Sequence, residues 1–151
     1  FDAVGTARIS SAIYDRVCRL AVDYQDAADE VAITGRHVTD LPDGVPERMV
    51  DLVRRTRTHP DLRIGSSVRG AIDFGAVASS LAQLRERPVT DRSVCLDAAL
   101  VALSGRVRVR EGCARDPESI ITELWEAVFE PAESRPPEPG KATAPTGAAT
   151  H

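Results

Sequence analysis

His59-Pro60-Asp61-Leu62-Arg63-Ile64-Gly65-Ser66-Ser67-Val68-Arg69-Gly70-Ala71 separates two stretches of helical periodicity and sets where one ends and the next begins. His59-Pro60-Asp61 stops the helix before it, because proline disfavours the α region for the residue it follows. Ile64-Gly65-Ser66-Ser67 reads as a loop whose serines can cap a helix entered at Val68. From Ser67 to about Arg87, residues Ala71, Phe74, Ala78, Leu81 and Ala82 recur at three- and four-residue spacing, and Pro88 ends the run. On the N-terminal side, Pro46 takes a first-turn position in a helix to about Thr56 with Met49, Val50 and Val53 as its apolar set. On the C-terminal side, Thr90 caps a helix through Leu103, terminated by Ser104-Gly105. The spacing therefore predicts a bundle of three helices over residues 46–104.

The flanks are read in the same way. Ser10 and Ser11 can cap a brief helix over Ala12 to Arg16, and the β-branched run Val17 to Val22 is expected to be a strand. Asp26 opens a helix to about Arg36 with Ala28, Val31 and Ala32 on one side. Asp40-Leu41-Pro42-Asp43-Gly44 is a loop and the expected subdomain boundary. Arg106 to Arg110 alternates strictly, as an extended piece or hairpin arm would. Asp116-Pro117-Glu118 opens a last amphipathic helix carrying Ile120, Ile121, Leu124, Trp125 and Val128. From Pro131 onward five of the ten prolines gather without an apolar period, and residues 131–151 read as a disordered tail.

Hydrophobic residues make up 42% of the 151 positions but aromatics only 4%, so the core must be built from Ala, Val, Leu and Ile. No run approaches the roughly 18 apolar residues of a membrane span. Charge is uneven: residues 31–115 hold fourteen arginines against ten acids, while residues 116–151 hold two basic residues against seven acidic ones. The middle is the region that would welcome an anion. Cys18, Cys95 and Cys113 are odd in number and widely spaced, which reads as free thiols in a reducing cytoplasm. His37, His59 and His151 are isolated from one another and from the cysteines, so no metal site is expected.

Two arginines stand out. Arg69 falls in the first turn of a helix, where it opposes the helix dipole unless an anion is present. Arg16 ends a short helix, a place the dipole alone explains, yet a projecting arginine there could also stabilise charge on a phosphoryl group in a neighbouring subunit. Spacing leaves that choice open.

Gly5-Thr6-Ala7-Arg8 through Asp15-Arg16, then Asp23-Tyr24-Gln25 and Glu30, resembles the end of the ATPase core in MoxR-type AAA+ proteins, relatives of the magnesium-chelatase ATPase subunit. Gln25 stands where that family often has proline. Residues 59–71 resemble the family's lid motif Gly-x-Ser-x-Arg, with Val68 where proline is common, and Val89-Thr90-Asp91-Arg92-Ser93-Val94 resembles the start of the last lid helix. The resemblance covers about residues 1–105. It implies a mainly α chain: the end of an α/β AAA+ core (short helix, strand, helix) over 1–39 and a small helical-bundle lid over 40–105. Residues 106–130 and the 131–151 tail lie beyond it.

By that resemblance Arg69 is the sensor-2 arginine, reaching the nucleotide of its own subunit, and Arg16 is the arginine finger, acting in trans across a ring. Gly65, Ser66, Ser67 and Arg69 would form the nucleotide-binding part of the lid. The implied cofactors are ATP and Mg²⁺, the implied partners other copies in a ring (a hexamer) and a client protein, and the implied activity ATP hydrolysis coupled to chaperone-like remodelling in the cytoplasm. The phosphate-binding loop with its lysine and the acidic strand for Mg²⁺ are not found; the single Lys, Lys141, lies in the tail. The chain, which opens at Phe1, is therefore expected to be a C-terminal fragment, inactive alone. Two rivals lack catalysis. One is a nucleic-acid-binding module using Arg54, Arg55, Arg57 and Arg63, disfavoured by the scarcity of aromatic residues for base stacking. The other is an interaction scaffold using the Ile120–Val128 face.

Overall fold

The computed structural model describes residues 13, 15–18 and 20–130. Among them the chain is mainly helical: α1 (Ala27–His37), α2 (Val45–Thr58), β1 (Leu62–Ile64), α3 (Val68–Arg85), α4 (Arg92–Leu103), β2 (Arg108–Val109) and α5 (Pro117–Phe129). The three helices expected over 46–104 are α2, α3 and α4. Ala12 and Tyr14 of the brief helix expected at Ala12–Arg16, and all of the tail expected to be disordered, lie outside the described residues.

Caps place most of the helix starts. The Asp26 carboxylate accepts from the Asp29 N–H, and the Asp116 carboxylate accepts from the Ser119 N–H with Pro117 in the first turn. The start of α4 corrects the expectation: its cap is Asp91 rather than Thr90, and the Asp91 carboxylate accepts from the N–H groups of Ser93 and Val94 and from the Ser93 hydroxyl. A carboxylate brings negative charge to the helix N-terminus, which a threonine hydroxyl does not. α3 stops before Pro88 is reached. Glu86 turns left-handed (φ 53°), and the Arg87 N–H returns to the Ala82 carbonyl.

Val17, Cys18 and Leu20–Val22 do not form the expected strand. All five are exposed, and among the described residues no strand lies beside them to pair with their backbone. The chain's small sheet is elsewhere. β1 and β2 pair antiparallel, Leu62 opposite Val109, and the Arg110 N–H extends the ladder to the Asp61 carbonyl. The alternating run at 106–110 thus finds its partner in the motif at the centre of the chain.

One core joins α2, α3, α4 and α5, and Val31 of α1 packs against it. Met49, Leu52 and Val53 of α2, Ala71, Phe74 and Ala78 of α3, Ala98, Ala99 and Leu103 of α4, and Ile120, Ile121 and Trp125 of α5 are buried together. Alanines on α3 and α4 let these two helices approach closely, as the aromatic-poor composition requires. The Ile120–Val128 face offered as a partner surface is spent on the chain's own α2 and α4. The loop expected as a subdomain boundary carries continuous packing: Val38 is buried, Leu41 packs on the core, and α1 lies against α2 and α3. No described helix is long and apolar enough to cross a membrane.

The face that α1 buries shares only Val31, half-buried against the core, with the expected one. Ala28 and Ala32 are exposed, whereas Glu30, Thr34 and Val38, at four-residue spacing, are buried. Glu30 is drawn in by two guanidiniums of α2.

Candidate functional site

The Gly65–Arg69 turn sits on the C-terminal end of α2. A Cβ added at Gly65 would lie 2.6 Å from the backbone N and Cα of Arg57, so only glycine fits there. Ser66 is buried; its N–H donates to Thr56 Oγ1 at 2.8 Å, and the Thr56 hydroxyl donates to the Val53 carbonyl at 2.6 Å. Gly70 is held to glycine by the Ser66 side chain and by Leu103. Gly65 and Ser66, expected to bind nucleotide, are thus occupied in packing the turn against α2.

Ser67 and Arg69 face the other way. Ser67 is the N-cap residue of α3, yet its side chain makes no capping bond, and it is exposed. Arg69 is exposed in the first turn and forms no hydrogen bond or ion pair among the described residues. The remaining helices have a carboxylate cap or an acidic residue in the first turn; α3 has neither and carries Arg69 instead. A positive side chain beside unsatisfied N–H groups is an arrangement that an anion would complete.

Toward a nucleotide phosphate the residues present therefore fit in part. Ser67, with a hydroxyl not used for capping, and Arg69, with a guanidinium not paired among the described residues, could hold phosphate oxygens. Gly65 and Ser66 would contribute the shape of the turn rather than contacts. For Mg²⁺ the fit is absent: no group of three or more His, Cys, Asp or Glu side chains clusters among the described residues. Arg16 stands on a separate exposed segment before α1, where its N–H donates to the Ile13 carbonyl and closes a turn.

Behind the turn lies a cluster that no apolar periodicity announces. The fully buried Glu30 carboxylate receives Arg57 Nη2 at 2.6 Å on Oε1 and Arg54 Nη1 at 2.8 Å on Oε2. Arg57 Nε donates to the Ser66 carbonyl at 2.8 Å. The signal that could have found it is an acid and a threonine four residues apart, Glu30 and Thr34, on a helix with few large apolar residues. The pairing also bears on the basic middle: Arg54 and Arg57 are paired with Glu30, and Arg55 with Asp51. Of the four arginines considered for nucleic acid, Arg63 alone is exposed without a carboxylate partner among the described residues. Comparison with known protein families, characterised proteins and solved structures gives no match to this chain.

Proposed function

We propose that this chain is the lid-bearing C-terminal part of a MoxR-type AAA+ ATPase, in which ATP binding and hydrolysis drive chaperone-like remodelling or assembly of a partner protein in the cytoplasm. The observation that carries the reading is Arg69: exposed, and unpaired among the described residues, in the first turn of an 18-residue helix that has no acidic residue there. In this reading Arg69 binds phosphate oxygens of the nucleotide of its own subunit, and the Ser67 hydroxyl helps orient them. Arg16 projects toward the nucleotide of the next subunit in the ring and neutralises charge as the phosphoryl group transfers. The phosphate-binding loop and the residues that hold Mg²⁺ belong to the rest of the ATPase core.

Pairing of Arg54, Arg55 and Arg57 with carboxylates argues against a nucleic-acid interface, because those charges are already compensated. Burial of Ile120, Ile121 and Trp125 argues against the scaffold reading. The coding sequence preceding Phe1 is the test. A glycine-rich loop ending in Lys-Ser or Lys-Thr is the expected finding, and its absence would overturn the proposal. The purified chain should hydrolyse no ATP above background; turnover that survives contaminant controls would overturn the fragment reading.

A further inference from the structure

The Arg57 side chain touches three parts of the molecule at once. Nη2 and Nη1 donate to Glu30 of α1 at 2.6 and 3.3 Å, and Nε donates to the Ser66 carbonyl in the turn that opens α3. Its guanidinium carbon lies 3.9 Å from the centroid of the Tyr24 ring, in the segment before α1. Arg54 reinforces this segment by donating to the Gln25 carbonyl at 3.2 Å. Arg57 is nearly buried, with 11% of its side chain exposed, whereas Tyr24 is 52% exposed. Tyr24 is therefore the face of this network that solvent or a neighbouring segment can reach.

Ser66 has no slack on its other side. Its N–H is bound to Thr56, and Gly65 rests on the backbone of Thr56 and Arg57. A change in how Arg57 sits must move the Ser66 carbonyl, and with it the start of α3, three residues before Arg69. We propose that Arg57 is a positioning residue that couples the placement of Tyr24 to that of Arg69. A cation stacked on an aromatic ring is held by the ring's face. When Tyr24 leaves, Arg57 loses one of its three anchors, and the turn that aims Arg69 loosens. For phosphate binding the proposal rests on the reading of Arg69 given above; the mechanical coupling does not.

The test uses the 151-residue chain with Tyr24→Ala, Tyr24→Phe and Arg57→Lys, observed by ¹H–¹⁵N NMR. The readouts are the amides of Ser66–Gly70, the Arg69 Nε–Hε resonance and titration with inorganic tripolyphosphate. Tyr24→Ala should fold, since the side chain is half exposed, and should shift the Ser66–Gly70 amides. Tyr24→Phe keeps the ring and should leave them as in the unmodified chain. Arg57→Lys keeps the charge but lacks the planar fork, and should shift them further. Tripolyphosphate affinity should fall about two- to thirtyfold in Tyr24→Ala, the range of coupling between linked sites. Amide shifts in Tyr24→Ala that stop at Arg57, or equal shifts in Tyr24→Ala and Tyr24→Phe, would overturn the coupling. Shifts that reach Arg69, in a chain whose Arg69 resonance tripolyphosphate leaves unmoved, would support the coupling and remove the phosphate role of Arg69.

Discussion

The indole Nε1 of Trp125 donates to Sγ of Cys95 at 3.3 Å, inside the seam between α5 and α4. Both residues are buried, and the bond gives the indole N–H a partner without a polar side chain in the core. Burial pushes the Cys95 thiol up to about 11, against the smaller opposing pull of the Trp125 N–H.

That shift predicts a loss of stability in alkali. The unfolded chain releases the Cys95 proton near pH 9, while the folded chain holds it to about pH 11. Stability contributed by the neutral thiol is complete below pH 9 and falls between these values, by up to about 2–3 kcal/mol. Urea denaturation of Cys95→Ala beside the unmodified chain, at pH 7.5 and in the alkaline range, should show this fall in the unmodified chain alone. At pH 7.5, thiol reagents should reach exposed Cys18 well before Cys95.

Glu30→Gln should be among the costliest single changes in the protein. It leaves Arg57, nearly buried, without its carboxylate, and breaking a buried pair in this way costs about 3–5 kcal/mol. Arg54→Ala should cost less, about 1 kcal/mol or below, because 38% of that side chain is exposed and solvent screens the pair. Chemical denaturation curves of the two variants measure the difference directly.

Gly65→Ala should destabilise by about 1–3 kcal/mol, since the new methyl would overlap the α2 backbone. Gly35→Ala provides the contrast. Gly35 lies within α1 with open space around it, so alanine should stabilise by about 0.5–1 kcal/mol. A pair of thermal melts distinguishes the two outcomes by sign.

Asp91→Ala should lower the melting temperature at pH 7, and Thr90→Ala should leave it unchanged, because Asp91 carries the cap. The hydrogen bond from the Ser93 hydroxyl, aided by the backbone N–H groups and Arg87, holds the Asp91 carboxyl below its ordinary value. A depressed carboxyl contributes above its unfolded pKa and loses that contribution as pH falls through the folded one. The gap between Asp91→Ala and the unmodified chain should therefore close in acid.

In the assembled ATPase of the proposed function, Arg16→Ala should lower turnover by about 10³–10⁵, the worth of an arginine finger. Mixing Arg16→Ala subunits with subunits disabled in the phosphate-binding loop should restore activity, because an intact finger then faces an intact site. Arg69→Ala in the same mixture should restore none, each subunit being defective in its own site. Equal behaviour of the two mixtures would overturn the cis and trans roles.

The sequence by itself determined the helices and most of their ends. Their signals are local: the Asp26 and Asp116 caps, Pro46 and Pro117 in first turns, and apolar residues three and four apart. It also marked Arg69 as a charge against a helix dipole, which needs no more than its distance from Ser67. Only the tertiary structure decided what lies between the helices. Glu30 is buried because Arg54 and Arg57 arrive from 24 and 27 residues away, and no periodicity within α1 contains that information. Leu62–Ile64 is a strand because Arg108–Val109 lies beside it, whereas Val17–Val22, with the same share of β-branched residues, has no such neighbour among the described residues. A helix satisfies its backbone within itself, so its residues announce it. A strand or a buried carboxylate is satisfied by a partner elsewhere, and the fold alone brings that partner near.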